Sequence, residues 1–117
     1  MFPFRFKKEE FKGLTRSEFL KALGAEGIPA SGGYSPLNKM PYLASAFKTK
    51  NFKLMYPPEM LDYDKYMEQN QCPVNDQLCE EAVWFGQNIL LAEKSDMDDI
   101  ATAIERIYKN ADKIKKQ

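Results

Sequence analysis

The chain contains no histidine. That removes the side chain that titrates near neutral pH and the commonest nitrogen ligand for metals. Cysteine is nearly absent, at positions Cys72 and Cys79 alone. Two cysteines without histidine do not make a zinc site. Seven residues apart on one helix, they would sit roughly 10 Å from each other, too far for a disulfide. They read as two small, half-buried thiols. Charge of one sign is also missing: 17 Lys plus Arg balance 17 Asp plus Glu. Such a chain exerts no long-range pull on nucleic acid or an anionic bilayer. No apolar run approaches the ~20 residues that cross a membrane. Arg5, Lys7 and Lys8 follow the first aromatic residues at once, unlike a secretory leader. A cytoplasmic protein is expected.

What is present fits one core. The 117 residues predict a single domain over 1–117, with an irregular insert at about 35–70. Phe2, Phe4 and Phe6 alternate with Pro3 and Arg5, a short strand with one buried face. Pro3 lacks an N–H and places that strand at a sheet edge. Thr15-Arg16-Ser17-Glu18 is a capping box opening a helix over 16–26. Phe19, Leu20 and Leu23 share its inner face, and Gly27 ends it. Ile28 to Tyr34 reads as a second strand, and Gly32-Gly33 marks close approach to backbone or ligand.

Pro36, Pro41, Pro57 and Pro58 break the middle into short pieces, with helical turns expected near 40–46 and 60–67. A helix starts at Cys72-Pro73, has Val74, Leu78, Ala82 and Val83 inside, and stops at Gly86. Ile89-Leu90-Leu91 supplies a third strand within 87–92. Ser95 to Asp98 caps a last helix, whose apolar stripe is Met97, Ile100, Ile104, Ile107, Ala111 and Ile114. The expectation is an α+β fold: a two-layer sandwich with a small three-stranded sheet and helices packed on one face.

Several residue groups invite a function. Lys48, Lys50 and Lys53 interleave with Phe47, Phe52 and Tyr56, as in single-strand binders. The neutral chain and the absence of a nucleic-acid module argue against that reading. Glu80-Glu81 and Asp96-Asp98-Asp99 read as solvated carboxylates, the latter favoured by a helix N-terminus. Trp84-Phe85 reads as core at a helix end, or as part of a docking surface.

The ordered series is more specific. It runs Phe4-Arg5-Phe6, Leu14-Thr15-Arg16-Ser17-Glu18-Phe19-Leu20-Lys21-Ala22-Leu23, Glu26-Gly27-Ile28-Pro29 and Gly33-Tyr34-Ser35-Pro36-Leu37-Asn38. Pro41-Tyr42-Leu43, Cys72-Pro73-Val74, Glu80 to Phe85, Leu90-Leu91 and Asp96 to Ile100 follow. Together they resemble the C-terminal small domain of DegT/DnrJ/StrS-type aminotransferases, pyridoxal-phosphate enzymes acting on keto-sugars or keto-cyclitols. The resemblance implies the small domain of the aspartate aminotransferase fold. It also implies a loop from Gly33 to Tyr42 that shapes the substrate side of an active site. Tyr34, Asn38 and Tyr42 are its candidate substrate-binding residues.

Many members of that family carry histidine where this chain has Asn38, and an amide can bond a hydroxyl without titrating. Two bland alternatives stand beside these roles: Tyr34 closing the core, and Asn38 stabilising a turn. The family's reactive lysine lies in a large domain that these residues do not match. Transamination needs that amine desolvated, whereas Lys21, Lys39, Lys48, Lys50 and Lys53 read as solvated. No catalytic or cofactor-binding residue is therefore assigned here, and pyridoxal phosphate is expected only in the complete enzyme. The implied partners are the large pyridoxal-phosphate-binding domain, or a separately encoded equivalent, and a small keto-sugar or cyclitol. Nucleic acid and membrane are not expected. A stand-alone binding or assembly module derived from the same domain is the second reading.

Overall fold

The computed structural model describes residues 1–115. They form a mixed α+β structure with one small antiparallel sheet. The chain divides into two compact units: Met1–Gly33 with the chain from Leu78 onward, and Tyr34–Gln77.

In the first unit, strand β1 is Phe2–Arg5 and helix α1 is Arg16–Ala25. The Thr15 hydroxyl accepts the Glu18 N–H, and Glu18 Oε2 accepts the Thr15 N–H at 2.8 Å. This reciprocal capping box is the one expected from the sequence. At the other end the Gly27 N–H reaches the Gly24 carbonyl and the Ile28 N–H reaches the Leu23 carbonyl. This is a Schellman closure, and it requires a left-handed residue. Gly27 supplies it with φ of +82°.

Strand β2 is only Ala30–Ser31, and β3 is Ala82–Phe85. The sheet order is β1-β3-β2, antiparallel throughout. β1 is thus an edge strand, and Pro3 is accommodated there. β3 carries the core: Val83 and Phe85 are buried with Phe6, Leu14, Phe19 and Leu23. Helix α6, Lys94–Ile114, adds Ile107 and Ala111 to that cluster. Phe6 stacks on Phe19 at 4.5 Å between centroids, and Phe11 meets Phe19 edge-on.

The second unit holds five short helices or turns and the start of a sixth element. After a 3-10 turn at Leu37–Lys39 come α2, Tyr42–Ala46, and α3, Lys50–Met55. A 3-10 turn at Pro58–Met60 precedes α4, Tyr63–Gln69. Helix α5, Pro73–Glu81, begins here. Aromatic rings stand in for an aliphatic core: Phe47 meets Phe52, Tyr63 and Tyr66 with centroids 6.0, 5.6 and 5.1 Å away. Phe47 and Phe52, the rings interleaved with lysines, are thereby used in the unit's own packing.

The structure corrects the sequence reading in five places. The helix beginning at Pro73 stops at Glu81, and Ala82–Phe85 is the central strand. Val74, expected inside, is 79% exposed. Ile89-Leu90-Leu91 is not a strand; Gln87–Leu90 is a 3-10 turn. The second strand is two residues, not seven. Helix α6 starts earlier than Ser95, with Glu93 as its cap in a reciprocal box with Asp96.

Candidate functional site

The Gly33–Tyr42 segment leaves the sheet at two adjacent glycines, and each is glycine for its own reason. A Cβ on Gly32 would lie 3.2 Å from the Arg16 guanidinium carbon. A Cβ on Gly33 would lie 3.1–3.2 Å from the Trp84 ring, and Gly33 has φ of +75°. Only glycine meets both demands at Gly33 without strain.

Arg16, the first residue of α1, anchors this exit. Its Nη1 donates to the carbonyls of Gly32 at 2.7 Å, Cys79 at 2.5 Å and Ala82 at 3.0 Å. Cys79 lies in the last turn of α5, which has no basic residue of its own there. The guanidinium therefore satisfies a helix-end carbonyl and places positive charge at the negative end of the helix dipole. From sequence alone Arg16 reads only as a member of the capping box, because backbone carbonyls leave no mark in a sequence.

Beyond Gly33, Tyr34 is 71% exposed and Tyr42 is 59% exposed. Asn38 is half-buried in the 3-10 turn, and its Nδ2 donates to the Asn70 carbonyl at 2.7 Å. It thus ties the turn to the end of α4. Lys39 Nζ lies 2.6 Å from Asp76 Oδ2, while Asp76 Oδ1 is buried with no hydrogen-bond partner among the described residues. A buried carboxylate oxygen left unbonded is costly. Tyr34, Asn38 and Tyr42 thus share one loop segment, with two tyrosines exposed and the amide engaged with backbone.

Two open grooves lie elsewhere. One, of about 360 Å³, runs between α1 and α6 and is lined by Ala22, Ala25, Ile107 and Ile114, with Arg106 and Glu26 at its rim. The other, about 520 Å³, is bordered by Gly27, Ile28, Ile89 and Asp99. Arg106 and Glu26 form an ion pair at 2.5 Å. None of the three candidate loop residues lines either groove.

Arg5 pairs with Glu81 at 2.6 Å while its side chain stays 48% exposed. Cys72 and Cys79 are both free thiols. Among the described residues no group of three His, Cys, Asp or Glu side chains is placed to hold a metal ion. No helix among them is long and apolar enough to cross a membrane. Every described lysine is exposed. A Schiff-base lysine needs a desolvated amine, so these side chains do not fit a covalent hold on pyridoxal phosphate.

No family model matches the chain, and no solved structure matches it. Two curated proteins do. The chain is 28% identical over 116 residues to a putative L-glutamine:3-amino-2,3-dideoxy-scyllo-inosose aminotransferase from Streptoalloteichus tenebrarius, covering 96% of this chain and 27% of that protein. It is 29% identical over 102 residues to an L-glutamine:2-deoxy-scyllo-inosose aminotransferase from Streptomyces kanamyceticus, covering 86% of this chain and 23% of that protein. The chain spans about a quarter of the length of the curated relatives it matches, and the similarity is to aminotransferases that act on cyclitols.

Proposed function

We propose that this chain is the small C-terminal domain of a sugar or cyclitol aminotransferase of the DegT/DnrJ/StrS type. Its role is to shape the substrate side of the active site, and it is inactive alone. One observation carries the reading: nearly the whole chain aligns with only a quarter of a cyclitol aminotransferase. The antiparallel sheet backed by α1 and α6 suits a domain packed as a unit.

In this reading the Gly33–Tyr42 loop lies along the substrate, with Tyr34 and Tyr42 offering hydroxyls to a polyhydroxylated ring. Phenol O–H groups both donate and accept, which suits sugar or cyclitol hydroxyls. Asn38 holds the turn in shape through Asn70 and presents its remaining amide capacity. Positioning of this kind lowers the barrier by restricting the substrate carbonyl to a productive approach. Pyridoxal phosphate, with its amine chemistry, belongs to the large domain and not to these residues.

Reconstitution tests the reading. The chain would be co-expressed with a 2-deoxy-scyllo-inosose aminotransferase lacking the matching quarter. The expected result is a co-purifying complex that aminates the keto-cyclitol from L-glutamine, while each part alone does not. Neither assembly nor amination, with both parts folded, would overturn it. Tyr42→Phe and Tyr34→Phe in the complex are expected to raise KM several-fold, the cost of a hydrogen bond lost from a bound hydroxyl.

A further inference from the structure

We propose that Arg16 is a positioning residue that fixes the base of the Gly33–Tyr42 loop by ending the β2–β3 ladder. The register pairs Ala30 with Phe85 and Ser31 with Trp84. Continued by two residues, it would pair Gly32 with Val83 and Gly33 with Ala82. The ladder stops instead, and the Arg16 guanidinium bonds the carbonyls of Gly32 and Ala82 at 2.7 and 3.0 Å. It occupies the place where the strands would otherwise have gone on pairing.

An NH2 group carries two hydrogens, yet three carbonyls converge on Nη1. At least one bond is shared, so the position of the guanidinium follows from three separate places: the residue after β2, the last turn of α5 and the start of β3. The planar, permanently charged fork suits this work better than an ammonium on a flexible stem. Gly32 completes the fit, because a Cβ there would stand only 3.2 Å from the guanidinium carbon. Trp84 then faces Gly33 from the other strand. Arginine, two glycines and tryptophan make one clamp on the residues from which the loop departs. The clamp itself is independent of any activity; its consequence for substrate binding rests on the proposed function.

The test uses Arg16→Gln and Arg16→Lys. Hydrogen exchange of the purified chain reads the clamp directly. Arg16→Gln is expected to speed exchange across residues 30–34 about tenfold, with the α6 peptide around Ile107 unchanged. Trp84, the only tryptophan in the chain, should become more accessible to acrylamide. In the reconstituted complex Arg16→Gln should raise KM for the keto-cyclitol about tenfold with kcat within about twofold, and Arg16→Lys should recover part of the loss. Unchanged exchange over 30–34 in a folded Arg16→Gln chain overturns the clamp. Faster exchange with an unaltered KM overturns the positioning role. If Arg16→Gln does not fold, Gly32→Ala gives the same readouts, since its methyl displaces the guanidinium without removing it. Failure of the native chain to reconstitute counts against the proposed function alone, because the exchange measurement needs no partner.

Discussion

Gly33→Ala should cost clearly more than Gly27→Ala, and the difference isolates one contact. The two glycines have nearly the same backbone, with φ of +75° and +82°. An L-residue in that region costs about 1–2 kcal/mol. At Gly27 nothing lies within 4 Å of a new Cβ, so that conformational term is the whole effect. At Gly33 the new methyl would sit 3.1–3.2 Å from three atoms of the Trp84 indole. The ring belongs to the central strand, held between Pro3 and Ser31 in register, and cannot swing away without disturbing the sheet. Overpacking of this kind adds about 1–3 kcal/mol. The expected totals are about 1–2 kcal/mol for Gly27→Ala and about 2–4 kcal/mol for Gly33→Ala. Urea unfolding followed by far-UV circular dichroism measures both, at matched m-values. Pairing Gly33→Ala with Trp84→Leu should recover about 1 kcal/mol relative to the sum of the single changes. Equal costs at the two glycines, or perfect additivity with Trp84→Leu, would refute the packing of the indole against the loop's first residue.

Phe19→Ala should remove about 3–5 kcal/mol, since Phe19 is 1% exposed between Phe6 and Phe11; thermal unfolding of a chain this size reads it directly. Gly24→Ala should stabilise by about 0.5–1 kcal/mol, because Gly24 is helical and its Cβ direction is open. Thr15→Ala should cost about 1 kcal/mol as a lost N-cap, and it should also change the acid limb of stability. Hydrogen bonds from the Thr15 hydroxyl, and then from its N–H, hold the Glu18 carboxyl below its ordinary pKa. A lowered folded-state pKa gives stability that is present above the unfolded value, near ~4.3, and lost as pH falls through the folded value. The native chain should therefore lose more stability than Thr15→Ala on acidification below about pH 4.5, measured by urea midpoints across that range.

The parts of the fold legible in sequence are those whose cause is local. The Thr15–Glu18 box, the Gly27 stop and the α6 stripe each follow from residues within a few positions of one another. The central strand was not legible. Ala82-Val83-Trp84-Phe85 is an unbroken apolar run directly after a helix, with no glycine or proline to mark the change. Periodicity alone does not separate such a run from a continuing helix. The burial of Ala82, Val83 and Phe85 depends on β1 and β2, which pair with the strand from about eighty and fifty residues away. Ile89-Leu90-Leu91 has strand composition, yet Gln87–Leu90 folds as a 3-10 turn. In the middle of the chain, Thr49 caps α3 by accepting the Phe52 N–H at 3.4 Å, a local cause of the same kind as the Thr15 box.

The candidate loop shows the same division between local and distant causes. A proline-bounded turn at Leu37–Lys39 could be read from Pro36 and Pro41. Asn38 could be read as a turn residue or as a ligand for hydroxyls. The structure gives it the first role, through Asn70, and a carboxamide retains an oxygen acceptor for the second. The two roles then reinforce each other, because an amide fixed by one hydrogen bond presents its oxygen in a fixed direction and loses less freedom on binding. A histidine in that place could add a titrating proton, and Asn38 cannot. Under the proposed function, the contribution of Asn38 is therefore restricted to holding and orienting. That restriction has a measurable consequence in the reconstituted complex: Asn38→Ala should weaken binding without moving the pH profile, whereas a new histidine from Asn38→His should introduce an ionisation near the ordinary imidazole value of ~6.5.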